Sequence, residues 1–357
     1  MSLTLFLGHG KTEMRGGPAI FMSIYRQWPE KEKYIVYEKS YIQSVKKLVS
    51  FLRNNNRNKK VLTLILENEY FTEVFLALLL KIFYRNLTTY GPAYHIPSSP
   101  VYGKGFINSL VHYLDYRLGL WFMAIIYSGI YTENSYMKNY IKGLNPKQRV
   151  IVESPGIKGE NIIPLGELKN YKRDIDLLYL TSMTKNKGIY DFLDVVNQIQ
   201  KKYDNVKIGI AGYSSPAVLE YTENFIKNNN MKNIEIYHNI NDTDKYKLYS
   251  RSKIYVLPSV EDGIPITFYE AWSYGVVVIA YNLETYSDIK DYFIQVEKGN
   301  VQELTDKCID AYRNYNRTFS TLVENSYNYS LNHSFSNGID NIIKQIMENN
   351  DMIRRAR

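Results

Sequence analysis

Short, unbroken apolar runs alternate along the chain with longer segments whose apolar residues recur every three or four positions. LTLFLG (3–8), KYIVYEK (33–39), KKVLTLILEN (59–68) and RNLTTYG (85–91) have the continuous apolar pattern of strands buried on both faces of a parallel sheet. Between them, GGPAIFMSIYRQW (16–28) places Pro18 at a helix start, and EYFTEVFLALLLKIFY (69–84) reads as a largely buried helix. The pattern then repeats. Strands are predicted at 174–183, 206–212, 234–240, 253–259 and 276–280, with helices at 187–203, 216–230 and 243–252 and later helices at 301–315 and 336–357. Strands alternating with helices predict an α/β fold, with a parallel sheet and helices on both of its faces, and the second half repeats the theme. The stretch VESPGIKGENIIPLGELKNYKRD (152–174), rich in Gly, Pro and charge, reads as the connection between them. The expected organisation is a first domain over 1–165, a second over 166–335 and a terminal helix over 336–357.

With 45% hydrophobic residues, the 357-residue chain can bury a sizeable core. Its single cysteine, Cys308, removes an intramolecular disulfide and thiolate metal sites from consideration and suits a reducing compartment. The longest charge-free apolar stretch, LGLWFMAIIYSGIY (118–131), is too short to cross about 30 Å of hydrocarbon. The N-terminus MSLTLFLGHG lacks the basic start of a signal peptide, so a cytoplasmic protein is expected. Charge is uneven. Residues 1–165 carry 21 Lys and Arg against 11 Asp and Glu, a net +10, whereas the remainder nets −2. The basic half suits an anionic membrane, an acidic acceptor or a solvated surface, and no nucleic-acid motif accompanies it.

The densest chemistry lies in PSVEDGIPITFYEAWSYGVVVIA (258–280). Gly263 and Pro265 mark a turn, Pro265 or Ile266 begins a helix and Gly275 closes it. Asp262 then falls in the loop at the carboxyl end of a strand, and Glu270 a little over one turn into the helix. In an open parallel sheet, ligands bind at that edge. A helix N-terminus suits phosphate, and a carboxylate suits a vicinal diol, so a ligand joining diol, phosphate and diol fits: a nucleotide sugar. The plainer alternative is that Glu261 and Asp262 cap the helix while Glu270 is solvated or pairs with a lysine.

The run LYSRSKIYVLPSVEDGIPITFYEAWSYGVVVIA (248–280) resembles the signature of glycosyltransferase family 4, retaining nucleotide-sugar enzymes of GT-B fold. GGPAIFM, ESPGIK, YLTSMTKNKGIYDFL, IGIAG and IEIYHNI resemble further elements of that family more weakly. The resemblance implies two Rossmann-like domains facing a cleft, with the terminal helix crossing back to the first. It implies that Glu270 holds the nucleotide ribose and that Asp262, shorter than the usual glutamate, contacts the transferred sugar. Backbone N–H groups of Gly263 and Ile264 would face the sugar or diphosphate. Lys187 matches the lysine that neutralises the leaving diphosphate. Ser182 replaces the arginine that accompanies it, with Lys185 or Arg15 as substitutes. Gly16 and Gly17 would let the backbone approach phosphate or acceptor. Tyr90 or His95 would touch the donor sugar, or be a packed aromatic and a surface histidine. His238 is assigned no role.

The implied reaction is metal-independent transfer of a hexosyl group, with retention, from a nucleoside-diphosphate sugar to a hydroxyl on a glycan, lipid or protein. No metal requirement and no cofactor are expected. Basic residues in KKLVSFLRNNNRNKK (46–60), beside apolar FLALLLKIF and LWFMAII, permit peripheral docking to an anionic membrane and a lipid-linked acceptor. The rival readings are a sugar-nucleotide epimerase on the same fold, a phosphorylase, and a nucleotide-sugar binding protein whose catalysis has eroded at Ser182 and Asp262.

Overall fold

The computed structural model describes residues 3–9, 17–29, 33–38, 40–55, 62–96, 106–154, 156–157, 163–168, 170–318 and 320–355. Arg15 and Gly16 lie outside these. Two compact units divide the chain: Met1–Ser154 with Ser336–Arg357, and Pro155–Phe335. The first division thus falls upstream of residue 165, inside the Gly- and Pro-rich stretch.

Unit 1 is built on six parallel strands: β1 (Leu3–His9), β2 (Lys33–Glu38), β3 (Leu62–Leu66), β4 (Thr88–Pro92), β5 (Gly129–Thr132) and β6 (Val150–Val152). Their order in the sheet is β2-β1-β3-β4-β5-β6. Helices connect them: α1 (Gly17–Gln27), α2 (Tyr41–Asn55), α3 (Phe71–Phe83), α4 (Phe106–Ile126) and α5 (Ser135–Leu144). Leu5, Phe6 and Leu7 are all buried, because successive side chains of β1 point into apolar layers on opposite faces. On one face Phe6 meets Phe21, Tyr25 and Trp28 edge-on. On the other, Leu5, Leu7, Leu64 and Leu66 pack with α2, α3 and α4. The last helix, α13 (Phe335–Arg355), belongs almost wholly to this unit. Its Asn350 accepts from the Tyr90 hydroxyl at 2.9 Å and donates to Thr63 at 3.0 Å, and Asn349 donates to Tyr90 and Ser128 at 2.9 Å each.

Helix α3 departs from the sequence expectation of a largely buried element. Val74, Leu76, Ala77 and Leu80 are buried, but Phe75, Leu79, Ile82 and Phe83 face solvent. An apolar run without a polar stripe cannot reveal by periodicity which residues the core fails to cover.

Unit 2 repeats the architecture, opening with the short α6 (Leu165–Leu168). Its strands are β7 (Ile175–Leu180), β8 (Ile208–Gly212), β9 (Ile234–His238), β10 (Ser252–Leu257), β11 (Val277–Tyr281) and β12 (Ile294–Val296). They are all parallel, in the order β12-β11-β10-β7-β8-β9. The helices are α7 (Ile189–Gln200), α8 (Pro216–Asn228), α9 (Asp242–Arg251), α10 (Ile266–Ser273), α11 (Val301–Thr318) and α12 (Ser320–Leu331). A 3₁₀ segment spans Glu284–Tyr292. From β7 the chain first moves outward through β8 and β9, then returns to place β10 against β7 and continues the opposite way. The switch of direction lies between β7 and β10, and such a point opens a crevice at the carboxyl ends of the two strands.

Candidate functional site

Two loops leave the sheet at that switch point. One follows β7 and runs from Thr181 to Gly188; the other follows β10 and runs from Pro258 to Pro265. A hydrogen bond from Val260 N to Asn186 O (2.9 Å) joins them. Gly188 makes the contact possible. It adopts φ +74°, and a Cβ there would lie 1.9 Å from the Pro258 carbonyl oxygen. Tyr179 anchors the first loop from below, its hydroxyl donating to Ser182 O at 3.0 Å and Lys187 O at 3.3 Å.

The loops bring Lys187 and Asp262, 75 residues apart in sequence, into an ion pair between Nζ and Oδ2. Both side chains keep some solvent access, 27% and 16% respectively. Ser259 Oγ donates to the same Oδ2 at 3.3 Å, and Thr285 Oγ1 donates to the Asp262 carbonyl at 2.7 Å, fixing the backbone that carries the acid. A cation and an anion so held at the carboxyl ends of β7 and β10 form a polar pair, suited to an incoming group that carries both negative charge and hydroxyls.

Helix α10 starts at Ile266, with Pro265 as its cap, and ends where Gly275 turns left-handed at φ +62°. Glu270 lies on its buried side, only 5% exposed. Its Oε1 accepts from Lys245 at 2.6 Å and Tyr246 at 3.4 Å, and its Oε2 accepts from Tyr249 at 3.4 Å. Burial pushes the Glu270 carboxyl above the usual carboxylate range, and Lys245 works against that shift. Of the two alternatives for Glu270 beside the ligand reading, pairing with a lysine is the one observed. Lys245 was not among the sequence candidates. It sits on α9, 25 residues before its partner, and no local spacing ties the two. Lys245 also contacts Asp242 at 3.3 Å and lies over the Tyr246 ring at 4.8 Å.

The remaining candidates divide. Ser182 and Lys185 share the loop with Lys187, Ser182 half-buried and Lys185 exposed. Gly263 and Ile264 follow Asp262 on the second loop. Ile264 is buried in the core beneath it. His238 is exposed at the carboxyl end of β9, with its ring stacked on Tyr213 at 6.5 Å. In unit 1, Gly17 is the first residue of α1. Tyr90 answers to the second of its two readings, a packed aromatic. It is fully buried and its hydroxyl is held by Asn349 and Asn350 of α13, so it is a core residue of unit 1 rather than a sugar contact. His95 Nδ1 lies 3.3 Å from the Tyr116 hydroxyl, which donates to the buried Glu69. Burial raises Glu69 to about 7, partly offset by His95. Among the described residues, no group of three or more His, Cys, Asp or Glu is placed to hold a metal ion.

Residues 166–329, which include Lys187, Asp262 and Glu270, match the family model described as Glycosyl transferases group 1. No curated protein sequence matches the chain. Among solved structures, the chain is similar to HepE of Anabaena, crystallised with UDP-glucose, at TM-score 0.75 and 11% identity, covering 98% of this chain and 99% of that one. Sucrose-phosphate synthase of Thermosynechococcus elongatus is similar at TM-score 0.74 and 12% identity over 100% of both chains. TarM of S. aureus is similar at TM-score 0.63 and 16% identity, covering 86% of this chain, which spans only 58% of TarM. The chain therefore has the two-domain GT-B fold, and its residues 166–329 carry the pattern of group 1 glycosyl transferases.

Proposed function

We propose that the protein is a retaining hexosyltransferase of glycosyltransferase family 4 that moves a sugar from a nucleoside-diphosphate donor to a hydroxyl acceptor, a glycan or a lipid-linked one. The observation that carries this reading is the Lys187–Asp262 pair at the switch point of unit 2, with Glu270 on the helix that the second loop enters. HepE binds UDP and UDP-glucose by the description of its crystals, which supports a nucleotide sugar as the ligand class.

In this reading Glu270 takes the ribose diol. A carboxylate offers about four lone-pair positions. Oε2, which takes the long 3.4 Å bond from Tyr249, is the oxygen we assign to the two ribose hydroxyls. Lys245 opposes the upward push that burial gives the Glu270 carboxyl, and so favours the form that accepts hydrogen bonds from the diol. Asp262 takes a hydroxyl of the transferred sugar. Lys187, which the ion pair with Asp262 holds beside the second loop, takes the diphosphate.

As the bond from the anomeric carbon to the diphosphate oxygen breaks, negative charge grows on the leaving group, and a fixed cation lowers the barrier. The acceptor hydroxyl attacks the face the diphosphate leaves, and its proton passes to the departing phosphate oxygen. The protein then supplies orientation and charge stabilisation, without a covalent nucleophile and without a metal. Lys185, exposed on the same loop, is the residue we assign to the second positive charge that Ser182 does not supply. Exclusion of water from the crevice limits hydrolysis of the donor.

Incubating the full chain with a panel of nucleoside-diphosphate sugars and simple glycoside acceptors tests this. Release of a free nucleoside diphosphate is expected, with a product whose anomeric configuration by NMR equals the donor's, in the presence of a chelator. A new sugar isomer without nucleotide release would mean an epimerase, nucleotide binding without turnover would mean a binding protein, and inversion would overturn the retaining assignment.

A further inference from the structure

We propose that the face of unit 1 formed by α3 and α4 docks on an anionic lipid bilayer. Helix α4 has 21 residues and is about 30 Å long. Among its described residues, the exposed positions are Ile107, Val111, Leu114, Leu118, Trp121 and Ile125, from 45% to 74% exposed, and none is polar. Their spacing of four and three residues sets them in one stripe along the helix. Helix α3, packed against α4 and tied to it by a bond from Lys81 Nζ to the Ile126 carbonyl, exposes Phe75, Leu79, Ile82 and Phe83. A helix facing water carries polar residues on its outer side; these two carry apolar ones there, and such a patch marks an interaction surface.

Charge identifies the occupant. The strand order makes every connection from β2 to β6 run the same way across the sheet, so right-handed crossovers put α2, α3, α4 and α5 on one face. Tyr41 at the start of α2 donates to the Thr72 carbonyl of α3 at 2.7 Å, and α5 packs on α4. The apolar strip is therefore flanked by α2, which carries exposed Lys46 and Arg53 and also Lys47, paired with Glu38 of β2 at 2.7 Å, and by α5, which carries Lys138 and Lys142. Neither flanking helix contains an acid. In the strip itself Glu73 is buried and Asp115 half-buried. An apolar centre with a rim of cations matches the acyl boundary and anionic headgroups of a bilayer, with Trp121 suited to the interface between them. A second copy of the chain fits less well, because a two-fold contact through this strip would set the basic flanks of both copies against each other. No described helix is long and apolar enough to cross a membrane, so the contact is peripheral.

Flotation of the full chain with vesicles of phosphatidylcholine alone, or of an equal mixture with phosphatidylglycerol, tests the proposal. Binding to the mixed vesicles is expected to exceed that to the neutral ones by roughly tenfold or more at low salt and to fall as salt rises. The double variant Leu118→Glu, Trp121→Glu should lose flotation. The triple variant Lys46→Gln, Lys47→Gln, Arg53→Gln, which leaves the apolar strip intact, should lose the preference for anionic vesicles. All these side chains are exposed, so thermal unfolding should match the wild type, and affinity for nucleoside diphosphates in unit 2 should not change. Equal recovery with both vesicle types, or variants that float as the wild type does, would overturn the proposal. So would a dimer in sedimentation velocity that Leu118→Glu, Trp121→Glu dissociates, which would assign the strip to a second copy.

Discussion

In the proposed reading, the chemistry of unit 2 rests on two carboxylates in different surroundings. Asp262 stays partly solvated and is held by Lys187, whereas Glu270 is buried, which raises its pKa, and Lys245 opposes that rise. Lys187→Ala should lower turnover by two or more orders of magnitude, a loss of about 3 kcal/mol of transition-state stabilisation, while leaving nucleotide affinity within about tenfold. Steady-state kinetics on a folded variant check this, and wild-type turnover would remove Lys187 from the mechanism. A second residue-level expectation concerns Glu69 of unit 1. Its folded pKa, about 7, lies above the ordinary 4.5. The folded state therefore binds the proton more tightly, and this contribution to stability is fully present below about pH 4.5 and lost as pH rises through about 7. Glu69→Gln should remove that loss, so that its stability relative to wild type grows between pH 5 and pH 8 by on the order of 3 kcal/mol. Thermal unfolding at several pH values measures it, and parallel profiles would contradict the assignment.

The loop pair at the switch point shows what a sequence can and cannot reveal about elements. The run from Pro258 to Ala280 was legible because the apolar strands on either side, the Gly–Pro turn and the closing Gly275 each have a local cause. Asp262 and Glu270 followed from that frame. Lys187 was legible only through a family resemblance, and its bond to Asp262 arises from β7 and β10 being neighbours, a pairing that no local pattern encodes. Lys245 stayed hidden for the same reason, since α9 meets α10 only in three dimensions. Tyr90 stayed open between two readings because a tyrosine at a strand end reads alike whether it meets a ligand or a distant helix such as α13. The exposed side of α3 misled because apolar residues on all sides of a helix suggest burial. Gly188 carries the element-level prediction. With φ +74° and the Pro258 oxygen where a Cβ would sit, Gly188→Ala should destabilise unit 2 by about 2 kcal/mol or more and push the two loops apart. A drop in Tm with a larger loss of turnover than of nucleotide binding is expected; an unchanged Tm would show that the loops do not depend on this contact.

In the whole molecule, two parallel sheets of six strands each carry a different character. Unit 1 bears the excess of positive charge and the uncovered apolar strip, whereas unit 2 bears the paired carboxylates and lysines. The fold was legible at this level because βα alternation and continuous apolar strands recur in both halves. The identities of base, sugar and acceptor were not, because backbone geometry and loop shape rather than residue type would set them. Because a ligand bound only by the folded state stabilises it, the preferred nucleoside diphosphate at about 100 times its Kd should add about 2.7 kcal/mol to stability. A thermal-shift screen across bases identifies it. The most direct measurement is then isothermal titration of that nucleoside diphosphate into wild type and Glu270→Gln. Wild type should bind, and the variant should bind more weakly by about 1.5–3 kcal/mol, the worth of hydrogen bonds to a charged group. Equal affinities in two equally folded proteins would contradict the assignment of Glu270 to the ribose, and with it the reading of unit 2 as a nucleotide-sugar site.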